Sequence, residues 1–249
     1  MSKSEDSARV VEIDRATLET CPDATGTVVV IDVLRAFTTA AFAFGAGAEA
    51  ITLVGEVEEA FALRDVHPDW LLMGEERGLP VEGFDFGNSP AAFVGKDLTG
   101  RRLVQRTSSG TQGVVRSVRA DNLLAASLCC VSATAVYLVG LQPEQLTMVI
   151  TGSHVGGLGD EDQACADYLE GLIQGERVDL TEIKDRVRAA HAAQKFVDLE
   201  RPEFVAQDLA YALDVDRFGF AMVVRQEGAH MVMRPDAGDS GGDARKAYA

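Results

Sequence analysis

Residues 28–34 (VVVIDVL) restrict the fold most, because an almost continuous β-branched run is typical of a strand buried on both faces. Shorter apolar runs recur along the chain and alternate with helical patterns, which indicates βαβ units. Residues 220–225 and 230–233 predict a terminal hairpin. The sequence therefore predicts an α/β fold with three layers, in which a mostly parallel or mixed sheet is flanked by helices. The other predicted strands are residues 51–54, 71–73, 102–105, 122–126 and 146–150, and the predicted helices are 36–47, 57–66, 90–94, 110–118, 132–141, 161–173, 180–193 and 204–213.

The two ends of the chain predict disordered tails. Residues 1–8 are polar, and residues 235–249 (PDAGDSGGDARKAYA) are rich in Gly and Asp and have no core face. No linker and no repeat of fixed period divides the remainder. We therefore expect one α/β domain over residues 9–234.

The overall charge excludes several classes of partner. With 39 acidic and 23 basic residues, the formal net charge is -16, so we expect neither nucleic acid nor an anionic membrane as a partner. No apolar run reaches the ~20 residues of a membrane span, and the first residues hold no apolar signal core. The four cysteines form no spaced framework, which favours buried thiols in a reducing cytoplasm. A homo-oligomer is compatible with this composition, but no pattern specifies one.

The charges are unevenly distributed along the chain. Residues 49–85 contain ten acids and two bases, whereas residues 100–119 contain five arginines and no acid. An all-arginine segment in an acidic protein predicts a site for a small anion. Arg106 is the strongest candidate of the five, because it ends a predicted strand just before a Ser/Thr/Gly turn.

Polar residues follow several of the predicted strands. These residues are Asp32 to Arg35, then Glu75, Glu76 and Arg77, then the turn 106–111, and then the loop 151–162. In open α/β sheets, ligands bind outside the carboxyl ends of the strands. We therefore expect carboxylates, arginines and hydroxyl-bearing turns to converge on one edge of the sheet. Together they would suit a divalent metal and a phosphate-like anion, and oxygen ligands without spaced His or Cys favour Mg²⁺ over zinc.

Each candidate has a structural alternative. Asp32 is costly in a buried strand unless it is paired or binds a metal, and a salt bridge to Arg35 would also explain it. The turn at 107–111 would bind phosphate at a helix N-terminus or simply cap that helix. Favourable placement in a helix dipole would explain two of the three acids at 160–162. His154 is the one histidine suited to acid/base work, and Cys165 is expected in the core.

Four blocks together resemble the ComB-like 2-phosphosulfolactate phosphatases, which are Mg²⁺-dependent acid phosphatases. The blocks are VVVIDVLRAFTTA at 28–40, GEERGLPVEGFDFGNSP at 74–90, RTSSGTQG at 106–113 and GDEDQACAD at 159–167. The resemblance implies hydrolysis of a phosphate ester on a small, doubly anionic three-carbon acid, a reaction of coenzyme M biosynthesis in archaea. Three departures are the turn 107–112, which lacks an amide and an arginine of the family pattern, an additional acid in the Gly-Glu-Arg block, and Asp167 in place of a glycine.

The resemblance also implies roles for individual residues. It makes Asp32, Arg35 and Arg77 catalytic, with Glu161 and Asp162 on the family's Glu-Asp pair. The implied metal ligands are Asp32, Glu75, Glu76 and Asp162, and the implied phosphate and substrate contacts are Arg106, Thr107, Ser108, Ser109, Gly110, Thr111, Asn88 and Ser89. Attack by water and attack by the Asp32 carboxylate both remain open. Two other functions stay in view, a non-catalytic protein that binds an anionic metabolite and a lyase or phosphoryl transferase that uses the same site.

Overall fold

A computed structural model describes residues 11–152, 159–198 and 200–238, and its nine strands form one mixed sheet. The strands are β1 (Glu12–Ala16), β2 (Gly26–Ile31), β3 (Ala50–Val54), β4 (Leu71–Gly74), β5 (Arg102–Arg106), β6 (Ala120–Ala126), β7 (Gln145–Ile150), β8 (Ala221–Glu227) and β9 (His230–Asp236). The α-helices are α1 (Ala36–Gly45), α2 (Val57–Val66), α3 (Gly110–Arg116), α4 (Val131–Leu141), α5 (Asp160–Gln174), α6 (Leu180–Ala189) and α7 (Ala206–Ala212). Short 3₁₀ helices occur at Cys21–Asp23, Pro90–Phe93, Leu128–Cys130 and His191–Phe196.

The sheet consists of two parallel blocks joined by the hairpin β8–β9. Its strand order is β1-β7-β2-β6-β8-β9-β3-β5-β4. The first four strands pair in parallel, and so do the last three. The pairings β6–β8, β8–β9 and β9–β3 are antiparallel, so the two blocks run in opposite directions. The prediction of a mixed sheet is confirmed.

Helix α1 packs between the two blocks. Every residue of α1 except Gly45 is buried, as expected for a helix that is apolar on all sides. It shares one core cluster with Val28 of β2 and with Leu53 of β3. Phe37 is fully buried there, and burying such a side chain contributes roughly 1.5–3 kcal/mol. This shared core holds the end of β2 near the block β3-β5-β4.

Helices α2, α4 and α5 cover the opposite face of the sheet, whereas α3 lies on the same face as α1 and adds Val114 to its cluster. Val29 and Ile31 of β2 alternate with the residues that face α1, and they pack with Leu138 of α4 and Leu169 of α5. Helix α2 covers β3, β4 and β5 in the same way through a third cluster. Helices therefore lie on both faces, and the predicted three-layer α/β fold is confirmed.

Several element boundaries differ from the sequence prediction. Strand β1 was not predicted, because its alternating exposed residues are typical of an edge strand. The predicted helix 90–94 is a 3₁₀ turn, and the predicted helix 180–193 ends at Ala189. Strand β9 runs past the expected boundary at 234, whereas the predicted tail 1–8 and residues 239–249 lie outside the described residues. No helix in the described part of the chain has the length and apolar character needed to cross a membrane.

Candidate functional site

The two blocks of the sheet meet where the loop after β2 contacts the start of α3. A Cβ atom on Gly110 would lie 2.9 Å from Asp32 Oδ2 and 2.6 Å from the Cβ of Ala36. Gln105 Nε2, from β5, donates to the carbonyl oxygen of Ala36 at 2.9 Å. The expectation of one edge formed by parallel strand ends is wrong, because β2 and β5 run in opposite directions. Their polar ends meet instead across the N-terminus of α1.

Asp32 is a buried carboxylate at the centre of this meeting point. Its Oδ1 accepts a hydrogen bond from the backbone N–H of Ala36 at 2.9 Å, at the first turn of α1. Burial raises the pKa of the Asp32 carboxyl to about 7, and the negative charges of Glu161 and Glu75 act in the same direction. Asp32 is therefore poised between its charged and neutral forms near neutral pH.

Two more buried carboxylates lie in the first turn of α5. Asp162 accepts hydrogen bonds from Val33 N at 2.8 Å, from Gly152 N at 2.9 Å and from Thr151 Oγ1 at 3.1 Å, so it ties β2, β7 and α5 together. Burial raises the pKa of both Glu161 and Asp162, and the charge of Glu161 further raises that of Asp162. Only Asp160 of these three acids is exposed. Burial within the site thus gives Glu161 and Asp162 a feature that favourable placement in the helix dipole does not by itself explain.

Glycine leaves these carboxylate oxygens uncovered. A Cβ atom on Gly152 would lie 3.2 Å from Glu161 Oε1 and 3.3 Å from Asp162 Oδ2, as one on Gly110 would crowd Asp32. Within the described residues, no Lys, Arg or His lies within ion-pair distance of Asp32, Glu161 or Asp162. Three buried carboxylates, of which Glu161 raises the pKa of both Asp32 and Asp162, suit a hard divalent cation.

The described residues contain no ready-made group of three His, Cys, Asp or Glu side chains around one metal position. The oxygen donors of Asp32, Glu161 and Asp162, and the space beside them at Gly110 and Gly152, are nevertheless of the kind that suits Mg²⁺. Glu161 was not among the ligands predicted from the sequence, although its position beside Asp162 after β7 was a usable signal.

Glu75 and Glu76 lie in different environments. Glu75 is buried, and its two oxygens accept hydrogen bonds from Ser108 N, Ser108 Oγ and Gly78 N. It thereby joins the loop after β4 to the turn after β5. Glu76 is exposed, and its Oε1 lies 3.6 Å from Nη2 of Arg106. As metal ligands, both residues stay predictions.

The turn after β5 is held by its own side chains and by Arg106. Arg106 donates from Nη1 to the Glu75 carbonyl at 2.9 Å and to Ser108 Oγ at 3.3 Å, and from Nε to the Gly55 carbonyl at 3.2 Å. Thr107 and Thr111 each accept, through the side-chain oxygen, from the other's backbone N–H at 3.0 and 2.8 Å. The Ser109 hydroxyl makes no capping bond to α3. The turn is thus already formed, and its role in holding phosphate stays a prediction.

Arg77 borders the same turn. Its backbone N–H donates to Ser108 Oγ at 2.7 Å, and its φ of 53° is uncommon for a residue with a side chain. The Arg77 side chain lies on an exposed part of the loop. His154, the sequence candidate for acid/base work, lies outside the described residues.

Arg35 pairs with a residue far away in the sequence. Its Nη1 lies 2.9 Å from Asp208 Oδ2, and both side chains are buried, so the alternative of an Asp32–Arg35 salt bridge is wrong. Asp208 Oδ1 also accepts from Ser89 Oγ at 2.8 Å and from Ala91 N at 3.1 Å. Neighbouring Asn88 is buried, and its Oδ1 has no hydrogen-bond partner among the described residues.

A wall beside Arg35, formed by Lys195, Phe196 and Phe204, was not predicted from the sequence. Arg35 Cζ lies 5.2 Å from the ring centroid of Phe196 and 4.7 Å from that of Phe204. Lys195 Nζ lies 5.6 Å from the Phe204 centroid. Nothing in the local pattern marks these residues, because their role depends on contacts with β2 and with the loop after β4. Cys165 and the other three cysteines are buried and free, as predicted.

Comparison with known proteins gives consistent results. A family model described as 2-phosphosulpholactate phosphatase matches residues 14–227. A Bacillus subtilis protein named "Probable 2-phosphosulfolactate phosphatase" is 37% identical over 80% of this chain and 87% of its own length. A Synechococcus protein of the same name is 37% identical over 83% of this chain and 84% of its own. One from Deinococcus radiodurans is 37% identical over 61% and 68%. The chain therefore belongs to the 2-phosphosulpholactate phosphatase family.

Proposed function

We propose that this protein is a Mg²⁺-dependent phosphatase that converts 2-phosphosulfolactate to sulfolactate and phosphate. The reaction class, a phosphoric monoester hydrolase, follows from the family to which the chain belongs. The observation that carries the proposal is the group of buried carboxylates, Asp32, Glu161 and Asp162, at the junction with the Ser/Thr turn. A small phosphorylated acid is the partner, in keeping with a chain whose net charge of -16 disfavours anionic polymers.

The proposed metal ligands are Asp32, Glu161 and Asp162. Mg²⁺ held by them would polarise a phosphoryl oxygen and offset the charge that develops in the transition state. The support for this assignment is the uncompensated negative charge of these residues and the space that Gly110 and Gly152 leave at their oxygens.

The chain's own groups would orient the phosphate and move the proton. The turn after β5 would hold the phosphate, and Arg106 fixes that turn through the Glu75 carbonyl and Ser108 Oγ. Asp32 has two roles open to it. It would take the proton from a water molecule as that water attacks phosphorus, or its carboxylate would attack phosphorus itself. In both routes the bond between phosphorus and the ester oxygen breaks, and the leaving oxygen takes up a proton. In the second route a water molecule then hydrolyses the phosphorylated Asp32, which releases phosphate and restores the carboxylate.

Phosphate release by the purified protein tests the proposal. We expect turnover of 2-phosphosulfolactate with Mg²⁺ and none after chelation. Asp32→Asn should remove activity, whereas the exposed neighbour of the site, Asp160, should tolerate Asp160→Asn. Absence of turnover across a broad panel of phosphate esters would contradict the proposal, and stabilisation by sulfolactate without turnover would favour a binding protein. Trapping of a phospho-enzyme would select attack by the Asp32 carboxylate over attack by water.

A further inference from the structure

A second positive group, Lys195, lies beside Arg35 on the ring of Phe204. Lys195 lies in the 3₁₀ helix His191–Phe196, and its side chain is half-buried. The proposed chemistry on phosphate does not use this residue. Neither do Phe196 and Phe204, which share the same wall.

The ring of Phe204 fixes where Lys195 lies. Phe204 is within cation–π distance of two positive groups, with its centroid 4.7 Å from Arg35 Cζ and 5.6 Å from Lys195 Nζ. On another side it meets the loop after β4, since a Cβ atom on Gly78 would lie 3.0 Å from Phe204 Cζ. Lys195 is therefore fixed beside Arg35 and close to the loop that carries Glu75 and Arg77.

The two positive groups differ in their counter-charges. Arg35 is neutralised by Asp208, and its Nη1 also donates to the Glu203 carbonyl at 3.2 Å. Lys195 forms no ion pair with any carboxylate in the described part of the chain. Lys195 is thus a half-buried ammonium group that shares the Phe204 ring with Arg35 and has no carboxylate partner in the described part of the chain.

We propose that Lys195, supported by Phe204, binds the acidic group of the substrate that is remote from the phosphate ester. This inference rests on the proposed function and names the feature of the substrate that the site selects. A lysine binds a single carboxylate or sulfonate as a point charge, without the planar geometry that arginine requires. The carboxylates at Asp32, Glu161 and Asp162 cannot supply that contact, because they would repel a second acid.

The test compares the wild type with Lys195→Met, which keeps the alkyl stem against Phe204 and removes the charge. For 2-phosphosulfolactate, kcat/KM should fall by about tenfold to a hundredfold, mainly through KM, because a partly desolvated charge pair is lost. For 4-nitrophenyl phosphate, which has no second acid, kcat/KM should not change. Lys195→Arg should restore most of the loss, and Lys96→Met, at an exposed lysine, controls for net charge.

Comparison of different substrates identifies which acidic group Lys195 binds. A loss shared by phospholactate, which lacks the sulfonate, assigns Lys195 to the carboxylate, whereas a loss confined to 2-phosphosulfolactate assigns it to the sulfonate. An equal fall for 4-nitrophenyl phosphate, or no fall for either acid, would overturn the inference. If the wild type hydrolysed no ester, the proposed function would fail. Calorimetric measurement of sulfolactate binding would then test the Lys195 subsite on its own. Weaker binding by Lys195→Met would support the subsite, and equal or absent binding would overturn it.

Discussion

Arg35 and Asp208 form a buried ion pair, with 2.9 Å between Nη1 and Oδ2, and this pair joins the end of β2 to α7. The Asp208 carboxylate also accepts from Ser89 and from the backbone N–H of Ala91. One carboxylate thus gathers three segments that are remote in sequence. Breaking a buried pair leaves an uncompensated charge in the interior, so its loss costs far more than its formation contributes.

We expect Asp208→Asn to lower the free energy of unfolding by about 3–5 kcal/mol, because it leaves the Arg35 guanidinium buried without a counter-charge. Urea unfolding followed by circular dichroism measures this change. Asp214→Asn is the matched control, since Asp214 pairs with Arg217 at a partly exposed site, where a pair contributes about 0–1 kcal/mol. Similar small losses in both variants would show that the Arg35–Asp208 pair does not stabilise the fold in this way.

Gly110→Ala should disturb the junction of the two blocks of the sheet. The new Cβ would lie 2.6 Å from the Cβ of Ala36 and 2.9 Å from Asp32 Oδ2, distances at which atoms must move. We expect loss of phosphate release and a lower melting temperature. Gly140→Ala, in α4 with no atom within 4 Å of the added Cβ, should leave activity unchanged and stabilise the helix by up to about 1 kcal/mol. Full activity of Gly110→Ala would contradict this prediction, and it would show that Ala36 and Asp32 can move away from the added Cβ without loss of function.

The local elements of this fold could be predicted from the sequence, since they depend on short-range patterns. Helix α2 has the predicted bounds, and β2 was recognised from its β-branched run. The position of Asp32 at the end of that strand followed directly. The order of the strands did not, because the hairpin β8–β9 enters the middle of the sheet and reverses one block relative to the other. No local pattern encodes such an insertion.

The parts of the site that were missed depend on tertiary contacts. Asp208 lies in a short helix with no distinctive spacing, and its role comes from its contacts with Arg35, Ser89 and Ala91. Phe204 and Lys195 could not be predicted either, because their neighbours come from segments that are remote in sequence. Glu161 was within reach, but the dipole of α5 offered a sufficient explanation for an acid in its first turn. Burial, which the sequence does not show, distinguishes Glu161 from Asp160.

Asp32→Asn should stabilise the metal-free protein at neutral and higher pH. The pKa of Asp32 is about 7 in the folded protein, against an ordinary value of 3.8. Between about pH 4 and pH 7 the unfolded chain releases this proton and the folded chain keeps it, so the folded state loses stability as pH rises. With a chelator present, the variant should be more stable than the wild type by a few kcal/mol at pH 8, and the difference should vanish near pH 4. A constant difference across this range would contradict the shifted pKa.

Mg²⁺ should raise the melting temperature of the wild type, and more at pH 8 than at pH 5, because carboxylates bind a metal only when they are ionised. The pKa values of Asp162 and Glu161 are raised by burial, which places this dependence above the usual range for carboxylates. Glu161→Gln should remove most of the Mg²⁺ effect. Asp160→Asn is the matched control. It should retain the full rise in melting temperature with Mg²⁺, because Asp160 is exposed. Differential scanning fluorimetry over a Mg²⁺ titration measures both variants. An unchanged Mg²⁺ response in Glu161→Gln would exclude Glu161 as a ligand, and an equal loss in both variants would show that the shift reports general charge.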